Sequence, residues 1–383
     1  MSRRSRLRAL VLAVATWIAG PLAAEQPKRI VVLPVQDLTG VSAPREFVDQ
    51  RVRERLTEWG FEVVEPDRVL EFLRAGRVRY TGGASERTLA GLRRDLGADG
   101  VVAGSIDLYV EEGFPRSGVT LRMIATNDAR ILGAGERALA GEESPGVLGL
   151  HEVFDPGVLL DRTVVEAVDL MVDDMHAPSR ARGVWSHSNG QDRYRPRRTY
   201  RAAAYDEPRD RPARIAVVPF ENPSGRADAG DVLSALFVTH LAGRGKFETV
   251  EPGEVRDRLL EGRIIQLEGL SLAQSDLLRE LLDVDYAVTG RVLEYFEAGE
   301  GIEPRVSFAI WILDTRRREV VWSAYSANRG GDGVVWFDAG RAYSARALAS
   351  AMAEAAAHDI AHGKPTRTGR RSPPPAEDED RTP

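Results

Sequence analysis

The sequence predicts an α/β protein of two tandem domains, each a mixed parallel and antiparallel sheet packed with helices. Three observations carry this. The chain repeats itself: Arg29-Ile30-Val31-Val32-Leu33-Pro34-Val35 returns as Arg214-Ile215-Ala216-Val217-Val218-Pro219-Phe220, and Phe61-Glu62-Val63-Val64-Glu65-Pro66 returns as Phe247-Glu248-Thr249-Val250-Glu251-Pro252. Order is kept, and so is an offset of 185 or 186 residues, through to Gly104 and Gly290. Within each repeat, short β-branched runs alternate with apolar residues at helical spacing, the pattern of strands joined by helical crossovers. The 383 residues leave room for two domains, and a repeat of roughly 150 residues buries about 70% of its unfolded surface without a staple.

The opening strands, Ile30 to Val35 and Ile215 to Phe220, are nearly continuous apolar runs and so are expected to be buried on both faces. Phe47, Val48, Val52 and Leu56, matched by Val232, Leu233, Leu236, Phe237 and Leu241, recur at helical spacing and place a helix before the second strand, Phe61 to Glu65 or Phe247 to Glu251. Pro66 and Pro252 fit the first turn of the next helix, which Gly76 and Gly262 end. A further helix starts at Ser85 and at Ser271, where Ser271 and Gln274 have capping-box spacing. It leads into a third strand, Gly100 to Tyr109 or Tyr286 to Tyr295. Alternation from Val306 to Ile312, the turn Asp314-Thr315-Arg316-Arg317 and the run Val320 to Tyr325 then read as a hairpin. Asp155-Pro156 opens the closing helix of the first repeat. Phe337-Asp338-Ala339-Gly340 is expected to open its Ala-rich counterpart. Crossovers make the first three strands parallel, and the hairpin makes the others antiparallel.

Outside the repeats, Arg3, Arg4, Arg6 and Arg8 precede an apolar run from Ala9 to Ala19 and the sequence Pro21-Leu22-Ala23-Ala24, which reads as a signal peptide over residues 1–24 and implies export. The repeats span 28–176 and 213–362. Residues 177–212 carry nine arginines against Asp192, Asp206, Glu207 and Asp210, with no apolar periodicity, and read as an Arg-rich flexible linker. Residues 363–383, with three consecutive prolines and the acidic run Glu377 to Asp380, read as a disordered tail. The absence of cysteine excludes disulfides, thiolate metal sites, a cysteine nucleophile and lipid attachment at an N-terminal cysteine. A net charge of −6 gives no reason to expect nucleic-acid binding. The linker's positive charge suits weak attraction to an anionic membrane face.

A residue that does chemistry in both repeats should recur. None of His151, His176, His187, His240, His358 and His362 has a histidine counterpart, and no metal-ligand spacing exists. The loops Gln36 to Gly40 and Glu221 to Gly225 end in glycine but lack phosphate-binding motifs. The polar residues that recur are Glu65 with Glu251, Arg77 with Arg263, Asp99 with Asp285, Glu111 with Glu297, and Asp155 with Asp338, and capping or turn roles account for most of them. The expectation is therefore a protein with no catalytic, cofactor or metal residues.

Ile215-Ala216-Val217-Val218-Pro219-Phe220-Glu221-Asn222-Pro223-Ser224-Gly225, Lys246 to Glu251, Asp285-Tyr286-Ala287-Val288-Thr289-Gly290, and Leu313-Asp314-Thr315 through Val320-Val321-Trp322-Ser323 together resemble the CsgG-type curli-secretion family. The pattern is similar to the TolB N-terminal domain and to LpoB-type activators of peptidoglycan synthases. This resemblance implies a periplasmic or outer-membrane-associated adaptor that binds envelope proteins of an assembly or secretion apparatus. The alternatives it leaves are an oligomeric secretion-channel subunit and an LpoB-like activator. Against a channel, Val110 to Gly118 and Ser326 to Trp336 are too short for an inserted pair of membrane strands of about 9–11 residues each. The surfaces that fit protein contact are strand edges, the aromatic region of Tyr325 and Trp336, and the linker arginines Arg195, Arg197 and Arg198.

Overall fold

A computed structural model describes residues 27–143, 152–176, 193–206, 210–242, 246–263, 272–299, 301–334 and 340–363. The signal segment, the tail, Ser271 of the expected capping box, Asp338 and Trp336 lie outside these residues. The described residues form two α/β lobes, each with a six-stranded mixed sheet and four helices.

Lobe 1 runs β1 (Arg29–Val32), the short β2 (Gln36–Asp37), α1 (Arg45–Glu58), β3 (Glu62–Val63), α2 (Pro66–Ala75), α3 (Glu86–Leu96), β4 (Gly100–Val110), β5 (Arg116–Ala125), β6 (Ile131–Ala140) and α4 (Pro156–His176). Strand order is β3-β1-β4-β5-β6, with β3, β1 and β4 parallel, the short β2 paired parallel to β4, and β5 and β6 antiparallel. The continuous apolar run of β1 is explained by burial on both faces: Ile30 and Val32 pack under α1 and α4, Val31 under α2 and α3.

Lobe 2 opens with an addition, β7 (Arg198–Arg201). It then repeats the plan: β8 (Ala213–Val217), α5 (Ala229–Ala242), β9 (Phe247–Thr249), α6 (Pro252–Glu261), α7 (Leu272–Leu282), β10 (Tyr286–Phe296), β11 (Arg305–Asp314), β12 (Glu319–Arg329) and α8 (Ala345–His362). Its order is β7-β12-β11-β10-β8-β9. Both sheets carry a bulge at the same place, after Ile106 in β4 and after Val292 in β10, which leaves Asp107 and Leu293 as the unpaired extra residues.

Three local readings change. The Ala-rich helix opens at Ala345, where the Ser344 hydroxyl accepts the Ala347 N–H, so the first turn is set by a serine cap six residues beyond the expected cap at Asp338. Gly76 and Gly262 end α2 and α6 as expected, but in ordinary right-handed geometry; the left-handed turn falls on Arg77 (φ 53°) and Arg263 (φ 52°). The glycine eases packing: a Cβ on Gly262 would lie 2.8 Å from the Leu281 Cδ1, which would have to shift. In the segment read as a flexible linker, residues 193–206 are docked. Tyr194, Arg201 and Tyr205 are buried, and β7 extends the sheet along β12 with Arg198 opposite Tyr325 and Tyr200 opposite Ser323. Arg201 donates to the Asp359 and Ile360 carbonyls at 2.9 and 3.0 Å, supplying a cation to the last turn of α8. No apolar periodicity announces so short a strand, because its anchors are single side chains.

Recurring Asp99 and Asp285 do the same work twice. Each sits before the central strand and accepts the backbone N–H that starts the neighbouring one, Arg29 or Arg214, both at 3.0 Å.

Asp49 on α1 accepts the Val35 N–H at 2.8 Å, and burial pushes its carboxyl up to about 6, with that hydrogen bond and Arg53 and Arg45 pulling the other way. A raised carboxyl costs stability as pH climbs from its unfolded value to its folded one. Asp49→Asn keeps the acceptor and removes the charge. It should raise stability by about 1–3 kcal/mol at pH 7 and by almost nothing below pH ~4, as measured by urea unfolding at the two pH values.

Candidate functional site: the lobe interface and the free sheet face

In each lobe one sheet face is shared by two helices that close the main core, and the strands next to the parallel edge are covered on the other face by two more. The rest of that second face, made by β4, β5 and β6, is covered in lobe 1 by α5 and α8 of lobe 2. This explains why α8 is rich in alanine. It lies between two sheets, with Ala349, Ala353, Ala356 and Ala357 fully buried.

At the centre of the interface is Arg346, on the first turn of α8 and inaccessible to solvent. Its Nε donates to Asp107 at 2.9 Å, one terminal nitrogen to Glu136 at 2.9 Å and the other to the Thr120 hydroxyl at 2.8 Å. Asp107, the bulge residue, also accepts the hydroxyls of Ser105 and Thr120. Ser350 donates to Glu136 at 2.6 Å, and His240 Nε2 lies 3.1 Å from the serine oxygen. The serine proton is directed at Glu136, so Nε2 is the donor to Ser350. The chain runs from imidazole through hydroxyl to carboxylate, a relay that anchors Glu136 and the reverse of a base withdrawing the serine's proton. Burial pushes the Glu136 carboxyl up, but the charges of Arg346 and His240 and the bonds from Ser350 and Arg346 more than offset it, leaving it below its ordinary value.

A second buried pair has the opposite polarity. Here lobe 1 supplies the cation, Arg122, and lobe 2 the anion, Glu251, 3.4 Å apart. Glu251 accepts the Ala84 N–H of lobe 1 at 3.0 Å and the Gly253 N–H that it caps at 3.3 Å. Burial dominates at this carboxyl and raises it, against the pull of Arg122 and the two N–H groups. Backbones touch here: a Cβ on Gly253 would come within 2.3 Å of Ala84 N. One cation from each lobe, set against anions of the other, fixes a single docked orientation.

The equivalent face of lobe 2, across β10, β11 and β12, carries no such cover among the described residues. Leu293 is 44% and Tyr325 37% exposed, Trp311 is half-buried, and β7 adds Tyr200, 48% exposed. Of the residues singled out for protein contact, the structure brings three together: Tyr325 pairs with Arg198 across β12 and β7, and the Arg197 N–H donates to the Tyr325 carbonyl at 2.9 Å. Arg195 is exposed three residues before β7. Trp322 is a core residue with its indole N–H on Asp359 at 3.1 Å. Sequence reasoning missed Asp107, Arg346 and Glu136 because none recurs; their counterparts are Leu293, Gly157 and Tyr325. A polar cavity of about 440 Å³ beside α7 is lined by Asp285, Arg316 and Arg318 among others, but its charges face one another, Asp285 toward Arg316 and Arg211, Arg318 toward Asp276.

No family model matches the sequence, and no curated protein matches it. Solved structures similar to this chain include the PelC dodecamer from Paraburkholderia phytofirmans (19% identity, 41% of this chain and 94% of that one, TM-score 0.28), lipoprotein GNA1162 from Neisseria meningitidis (16%, 32% and 90%, 0.26) and the LpoB C-terminal domain from Salmonella enterica (17%, 29% and 82%, 0.26). Each match spans less than half of this chain. No described helix is long and apolar enough to cross a membrane.

Proposed function

We propose that this is a non-enzymatic adaptor of the bacterial cell envelope, exported to the periplasm and associated there or at the outer membrane, that binds protein components of an assembly or secretion apparatus. The observation that carries the reading is the free sheet face of lobe 2, where Tyr200, Leu293 and Tyr325 stand exposed beside Arg198 on rigid strands. Large aromatics and arginine on a preformed surface are the side chains that anchor protein interfaces at low entropic cost. The basic opening segment and the four motifs resembling CsgG-type and TolB N-terminal domains support the envelope setting.

Crosslinking in intact cells, followed by fractionation, tests this. The chain should appear in the envelope fraction in a crosslinked protein complex, and the double substitution Tyr325→Ala, Arg198→Glu should reduce that complex about tenfold or more. Recovery from the cytoplasm, or a complex indifferent to both substitutions, would overturn the reading.

A further inference from the structure

The two lobes differ, position by position, at the contact that joins them. The bulge residue Asp107 corresponds to Leu293. Thr120 faces Glu136 across β5 and β6 as Ala309 faces Tyr325 across β11 and β12. On the helix side, Arg346 is the second residue of α8, and the second residue of α4 is Gly157. So where the internal interface sets a large cation on the helix against two carboxylates on the sheet, the lobe 2 sheet has two large apolar side chains, and the lobe 1 helix has a residue with no side chain. Both partners of the charged contact have changed together, and a bulky apolar sheet position now corresponds to an empty helix position.

The surroundings of Gly157 changed in the same sense. Val158 is 59% exposed, and Phe154, just before α4, is 63% exposed with Phe114 against it at 5.7 Å. Phe47 is exposed one turn before Arg51 on α1, the helix tied to α4 by the Arg51–Asp161 and Arg55–Asp169 pairs. This apolar end of the α1/α4 pair complements the large apolar side chains of Leu293 and Tyr325 on the sheet face.

We propose that the free sheet face of lobe 2 receives the α1/α4 face of lobe 1 from a second copy of this chain, in the manner in which lobe 1 receives α5 and α8. This rests on the reading of that face as a protein-binding surface and names its occupant. The contact is head to tail, so each copy keeps one free sheet face and one free helix face, and the assembly extends copy by copy, a ring where the rotation between copies closes and a filament where it does not.

The test is sedimentation velocity of the purified chain over a concentration series, with two single substitutions, Leu293→Asp on the sheet and Val158→Asp on the helix. Wild type should associate with concentration, and each variant should weaken association about tenfold or more. An equimolar mixture of the two variants should form dimers and nothing larger, because the intact helix face of one docks on the intact sheet face of the other. That recovery also certifies that both variants are folded. A wild type that stays monomeric throughout, a Val158→Asp protein that associates normally, or a mixture that fails to pair would overturn the proposal. If self-association fails while the Tyr325-dependent complex in cells persists, the adaptor reading stands and its partner is a different protein.

Discussion

Arg346→Ala is expected to cost about 3–5 kcal/mol, the range for removing one partner of a buried ion pair and leaving the other charge in place. The loss should be large here because Asp107 is completely inaccessible, with a side-chain exposure of 0%, while Glu136 keeps 19%. Asp107 has no exposed surface through which water could replace the guanidinium. The readout is urea unfolding followed by a probe in each lobe. Wild type should unfold with the lobes coupled, and the variant should separate them into two transitions, since Arg346 belongs to lobe 2 and its acceptors to lobe 1. The combination Arg346→Met, Asp107→Leu places at the interface the residue that lobe 2 has at its own bulge, and should be more stable than Arg346→Ala by about 1 kcal/mol or more. The pH dependence supplies a further check. A carboxyl held below its ordinary value contributes stability above the unfolded pKa and loses it as pH falls through the folded one. The contribution of Glu136 should therefore fade in acid in the wild type and be largely absent from Arg346→Ala.

The elements legible in the sequence are those each lobe builds for itself. Asp99 and Asp285 recur because each starts a parallel pair, and the apolar runs of β1 and β8 recur because each is covered on two sides. Docking one lobe on the other breaks the equivalence, and the residues responsible must differ between repeats. Searching for recurrence therefore finds the fold and passes over the interface: Asp107 and Arg346 stand opposite Leu293 and Gly157. Glu251 is the instructive intermediate. It recurs as Glu65, and a carboxylate at a helix N-terminus was the natural reading of both. Among the described residues Glu65 makes no side-chain cap bond, whereas Glu251 caps α6 and also reaches across to Ala84 and Arg122. The Ala-rich composition of α8 was a usable signal of the same event, since small side chains along most of a helix let it lie between two sheets. The docked strand β7 left no such trace, because four residues are too few to show a period.

Glu251 separates the roles of charge and of hydrogen bonding at the second contact. Glu251→Ala leaves the Arg122 guanidinium, itself 2% exposed, without its anion and strips the buried Ala84 N–H of its acceptor, so a loss of about 3–5 kcal/mol is expected. Glu251→Gln is predicted to behave differently. Its amide oxygen can still accept from Ala84, Arg122 keeps the Gly82 carbonyl at 2.6 Å, and the carboxyl it replaces is one that burial already disfavours in the charged form. The cost should be below about 2 kcal/mol near neutral pH. The sign with pH is opposite to that at Glu136. A carboxyl raised in the folded state loses stability as pH climbs from its unfolded pKa toward the folded one, and glutamine does not, so the gap between Glu251→Gln and wild type should narrow with rising pH across that window. A gap that widens instead would mean that the Arg122 charge governs Glu251 and that the ionised pair, rather than the Ala84 hydrogen bond, holds this side of the lobes together.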